Sequence, residues 1–163
     1  MAKLRRDRKT AASLAVLGLF VAIVFPGAVR ADVKLSKGQT IYVAAYSHIY
    51  HGDREQPFNL TITLSVRNTD MENQITLSSI DYYDTDGKFI KKYTDNEVKL
   101  APLASTRYVV KESDKSGGSG ANFIVTWKSE KKVTPPIVET IMISTSTQQG
   151  ISFSSRGVVI KEH

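Results

Sequence analysis

The chain has 163 residues, a formal net charge of +6, an isoelectric point near 9.5 and no cysteine. Such a balance invites nucleic acid as a partner, yet the excess is local: Lys3, Arg5, Arg6, Arg8, Lys9 and Arg30 against Asp7 alone give +5 and leave +1 for the rest. The remainder mixes signs without a long basic block, which argues against nucleic acid, and the absence of cysteine excludes disulfides and thiolate metal sites.

The N-terminal segment has the grammar of an export signal. Met1 to Thr10 is a basic head, residues 11–25 are an unbroken apolar run, Pro26-Gly27 breaks it, and Val29 and Ala31 offer a cleavage site before Asp32. As a helix the run would span about 22 Å, short of the roughly 30 Å hydrocarbon core of a bilayer. The expectation is a signal-peptide helix over residues 1–31 cut after Ala31, and a mature protein that is periplasmic or secreted. The rival reading is an uncleaved anchor through residues 11–25, because Arg30 is an awkward neighbour for the cut; only then is a membrane a partner. No cysteine follows the run, so no lipid anchor is encoded there. Arg5-Arg6 is a weak twin-arginine hint, since Asp7, Arg8 and Lys9 follow where such signals turn apolar.

Residues 32–163 match one domain of ordinary size, able to bury a core without staples. Phe58, Leu60, Ile62, Leu64 and Val66 alternate with polar residues up to Arg67, the period of a half-buried strand. Comparable runs lie at 40–46, 75–83, 88–93, 106–111, 122–128, 137–145 and 151–160, bounded by Gly, Pro, Asp, Asn or Ser. No capped helical periodicity follows Asp32. Between Ile75 and Tyr83 the apolar parity switches, which predicts a bulge near Ser78-Ser79. Asp86-Gly87 between two such runs predicts a hairpin. The expected fold is all-β, a two-layer antiparallel β-sandwich of the immunoglobulin-like or fibronectin-III-like kind, with about seven to eight strands and Trp127 at its core centre. Ser113 to Gly120, rich in glycine and serine, is expected to be a mobile loop.

Several polar clusters invite chemistry. Residues 46–55 join the first strand to the second and hold His48, His51 and Asp53, three weak candidates for ligands to a borderline metal; the spacing fits no rigid template, and ordinary loop histidines explain them as well. Asp84-Thr85-Asp86-Gly87 resembles a fragment of a calcium loop, but aligning its glycine puts Tyr82 first and Tyr93 twelfth, where acids are required. Gly117 to Gly120 precedes a strand and not a helix, so a phosphate cradle is disfavoured. Tyr46, Tyr50, Tyr82 and Tyr83, with Asn122, are weak candidates for a carbohydrate- or peptide-binding patch. There is no nucleophile elbow and no His-Glu-x-x-His motif, and no catalytic residue is identified.

Tyr46-Ser47-His48-Ile49-Tyr50, Arg67-Asn68-Thr69-Asp70, Asp81-Tyr82-Tyr83, Gly117 to Phe123, Trp127 and Gly150-Ile151-Ser152-Phe153 occur in that order. Together they resemble a bacterial family catalogued as domain of unknown function 3124, over nearly all of Gly38 to Val159. The pattern departs at Val43-Ala44-Ala45, where a proline is expected. The resemblance implies exported bacterial proteins, often with a signal or lipid anchor, and supplies no catalytic residue or cofactor.

The expected function is that of a non-enzymatic periplasmic binding or interaction module with no cofactor, whose partner is an unidentified periplasmic or envelope protein. The alternatives are a metal-binding or hydrolytic protein using His48, His51 and Asp53, and a small-ligand binder using the tyrosines.

Overall fold

The computed structural model describes residues 34–145 and 150–163. The signal helix, its cleavage site and the possible anchor expected over residues 1–31 lie outside these. The described chain is all-β with antiparallel sheets, its one helical element being a 3-10 turn at Gly118–Gly120.

In order, the strands are β1 (Ser36–Ala44), β2 (His48–His51), β3 (Gln56–Asn59), β4 (Thr61–Arg67), β5 (Ile75–Tyr83) and β6 (Phe89–Lys92). They continue with β7 (Val98–Leu100), β8 (Ser105–Val110), β9 (Asn122–Val133), β10 (Ile137–Ser144), β11 (Ile151–Arg156) and β12 (Val158–Glu162). The larger sheet runs β12-β1-β9-β5-β6, with β7 also on β5; the smaller runs β11-β10-β4-β8; β2 and β3 form a separate hairpin.

Twelve strands stand where seven or eight are expected. Two of the extra ones are short pieces with little buried alternation, β2 and β7. The other two arise from splits. The run at 58–67 keeps its alternation, but its pairing partner changes at Leu60, whose N–H donates to the Ser47 carbonyl at 2.9 Å. The run at 151–160 divides at Gly157, where the chain leaves the smaller sheet for the larger. A Cβ there would lie 2.5 Å from Ile41 Cγ2 and 3.0 Å from the Val138 carbonyl oxygen, so only glycine fits this crossing.

Alternation dictates the core. Ile62, Leu64 and Val66 of β4, Val138 and Met142 of β10, Ile41 and Val43 of β1, and Phe123, Val125 and Trp127 of β9 belong to one buried cluster, with Trp127 fully enclosed. At about 25 cal/mol per Å² of apolar area removed from water, burial on this scale is the main force opposing chain entropy. The expected bulge is present: Leu77 pairs with Trp127 and Ser79 with Thr126, leaving Ser78 as the extra residue. It lets Ile75 and Leu77, then Ile80 and Tyr82, all point inward. The expected hairpin is present too, with Gly87 at φ 76° and the Asp84 carboxylate accepting the N–H groups of Asp86 and Lys88.

Candidate functional site

The signature residues meet at structural nodes. Ser47 Oγ and the Tyr82 hydroxyl lie 3.0 Å apart in the core, and a Cβ on Gly117 would come within 2.0 Å of that hydroxyl, so the glycine makes room for the phenol. Burial pushes the Tyr82 phenol up to about 12, against the Ser47 hydrogen bond. Ser47 N–H donates to the Gly118 carbonyl and Ala45 N–H to that of Ala121. Thr85 donates twice to the Gly117 carbonyl, from its N–H and its hydroxyl, and accepts from Gly120 N–H. The segment expected to be a mobile loop is therefore tied down by hydrogen bonds from two neighbouring turns, mostly through its carbonyls, with the Gly120 N–H engaged by Thr85.

Further along, Asn68 Nδ2 donates to the carbonyls of Asn73, Leu100 and Ala101. The Asp70 carboxylate accepts the N–H groups of Glu72, Asn73 and Thr134, which hold it down at about 2. These side chains replace backbone partners where strands end.

The histidines do not converge. His48 and His51 stand three apart on β2, which puts them on opposite faces. His48 Nε2 is 3.1 Å from the Tyr50 hydroxyl, His51 sets its ring edge against Phe58, and Asp53 is exposed in the following turn. Among the described residues no three His, Cys, Asp or Glu side chains form a group able to hold a metal ion.

The tyrosines also separate. Tyr46 packs edge-on against Phe153, Tyr50 is exposed on the β2–β3 hairpin, and Tyr82 is fully buried between Tyr93 and Phe123. Tyr83 and Asn122 do come together, on the outer face of the larger sheet. Register places Ala44, Asn122, Tyr83 and Phe89 side by side across four strands, with the Tyr83 and Phe89 rings 5.8 Å apart. One pair further along each strand, Val158, Tyr42, Ile124, Asp81 and Lys92 form a parallel row. Tyr42 and Phe89 are exposed, as are Val158 and Ile160. The Asn122 amide, the Asp81 carboxylate and the hydroxyls of Tyr42 and Tyr83 make no hydrogen bond among the described residues. Sequence reasoning missed Tyr42 and Phe89, because only the lateral strand order joins them to Tyr83.

Two clefts lie elsewhere. One of about 610 Å³, at the other end of the same sheet, is lined mainly by charged side chains including the Lys128–Glu97 ion pair. The other, about 350 Å³, lies beside the Gly157 crossing and includes Lys34, Arg156, Pro135 and Pro136.

These features define an all-β protein of antiparallel sheets whose half-buried polar motifs serve its turns. The chain belongs to the family described as "Protein of unknown function (DUF3124)", which it matches over residues 38–160. Among solved structures it is similar to the crystal structure of Thermotoga maritima 1070, at 13% identity, covering 77% of this chain and 97% of that one, with a TM-score of 0.46. No curated protein matches it.

Proposed function

We propose that this protein is a non-enzymatic interaction module of the bacterial envelope, an immunoglobulin-like or fibronectin-III-like sandwich that works in the periplasm or outside the cell. It takes up an extended segment of an envelope protein by strand pairing at β8. The N-terminal signal grammar supports the compartment, and the core shared by the two sheets supports the sandwich.

One observation carries the choice of edge. β8 pairs with β4 over six residues in unbroken register, and among the described residues no strand pairs with its other side. Two outer strands of the larger sheet are interrupted by register shifts, at Thr40/Ile41 opposite β12 and at Tyr82/Tyr83 opposite β6, and the third, β7, pairs regularly with β5 but offers only three residues. Bulges blunt an edge against foreign strands, whereas a regular one presents its N–H and C=O groups as a template. The β11 edge is equally regular, but its chain turns directly through Gly157 into the other sheet.

A photoreactive residue at Arg107, exposed on β8, should yield a discrete adduct with one envelope protein in intact cells. Val109→Lys, a charge guarding the edge at an exposed position, should remove it. No adduct, or an adduct indifferent to Val109→Lys, would count against the reading.

A further inference from the structure

We propose that the outer face of the larger sheet is a binding surface for a neutral glycan chain, independent of the β8 edge. Tyr42, Tyr83 and Phe89 present rings on this face, flanked by the Asn122 amide and the Asp81 carboxylate, both without a partner among the described residues. Asn68, Asp70, Asp84, Asp114 and Glu162 are all engaged with backbone or neighbouring side chains. On the outer face, hydrogen-bonding capacity is left open beside apolar rings.

The chemistry of the ligand follows from that arrangement. A pyranose ring is apolar on its C–H faces and carries hydroxyls around its rim, so it lies on an aromatic ring while amide and carboxylate groups take the rim hydroxyls. An extended peptide fits this face less well, because the interior of a sheet offers no free backbone groups to pair with its main chain. These residues lie on a sheet face outside both clefts, which suits a chain of stacked sugars better than an enclosed small molecule. Asp81 and Lys92, opposite each other in register, bring one charge of each sign and so favour a neutral chain over an acidic one.

The probes are cellohexaose, laminarihexaose and hexa-N-acetylchitohexaose, titrated calorimetrically into the protein spanning residues 32–163 with its fold checked by circular dichroism. At least one should bind, and Tyr83→Ala and Asn122→Ala should each weaken it about tenfold or more. Tyr42→Ala, at an exposed position, serves as the third variant should Tyr83→Ala fail to fold. Val109→Lys should leave the affinity unchanged, so that failure of the β8 reading and failure of this one are told apart. Absence of binding to all three glycans, or binding indifferent to Asn122→Ala and Tyr42→Ala, overturns the proposal.

Discussion

Ser47 and Tyr82 show how a distinctive motif can serve the core. Their hydroxyls are fully buried, 3.0 Å apart, and Gly117 has no side chain because the phenol occupies its space. Removing either hydroxyl strands the other in the core at a cost of about 1–3 kcal/mol, whereas removing both leaves nothing unsatisfied. Ser47→Ala and Tyr82→Phe should each lower the urea unfolding free energy by that amount, and the double variant by no more than one of the singles. Additive losses would mean that the two hydroxyls do not depend on each other. Sequence adjacency made Ser47 and His48 look like a pair; the fold instead turns Ser47 inward and gives His48 to Tyr50.

At the scale of elements, Ser78 is the extra residue of β5, and its deletion has a definite consequence. Without it, Ile75, Leu77, Ile80 and Tyr82 would alternate perfectly with Thr76, Ser79 and Asp81, so all four apolar side chains would still face inward. Deleting Thr76 instead would keep the bulge, turn the buried Ile75 out of the core and bring Gln74 into its place. The protein lacking Ser78 should unfold in one cooperative transition, while that lacking Thr76 should unfold at a clearly lower midpoint in the same denaturation experiment. Elements of this kind were legible in the sequence because they are local: the alternation of β4, the parity switch at Ser78-Ser79 and the Asp86-Gly87 turn each lie within one window. β2 was not, because His48 and Ile49 are only half-buried and Tyr50 and His51 exposed, leaving no alternation to read. The division of β11 from β12 rests on a single glycine whose necessity comes from Ile41, far away in sequence. The outer-face cluster was half legible, through Tyr83 and Asn122. Tyr42 and Phe89 join them only through the strand order β1-β9-β5-β6, which period-two patterns do not encode.

The whole molecule is held without disulfides, so much of its acid tolerance depends on carboxylates that organise turns. Asp70 is held at about 2 by the N–H groups of Glu72, Asn73 and Thr134, the last lying beyond β9 in the chain. Asp114 is lowered by the Ser116 hydroxyl, and Glu162 by the side chains of Gln39 and Ser36. A carboxylate lowered on folding contributes stability that is present above its ordinary value, 3.8 for Asp70, and is lost as pH falls through the folded value of about 2. The urea midpoint should therefore stay nearly level on the neutral side and decline from about pH 4 toward pH 2. Asp70→Asn offers one acceptor oxygen where the carboxylate uses both, Oδ1 for Glu72 and Asn73 and Oδ2 for Thr134. That variant should be less stable than the parent near neutral pH, with the difference closing as pH falls toward 2, because the parent protonates the same group. A constant difference across the acid range would mean that the Asp70 charge contributes nothing and that shape alone matters at this turn.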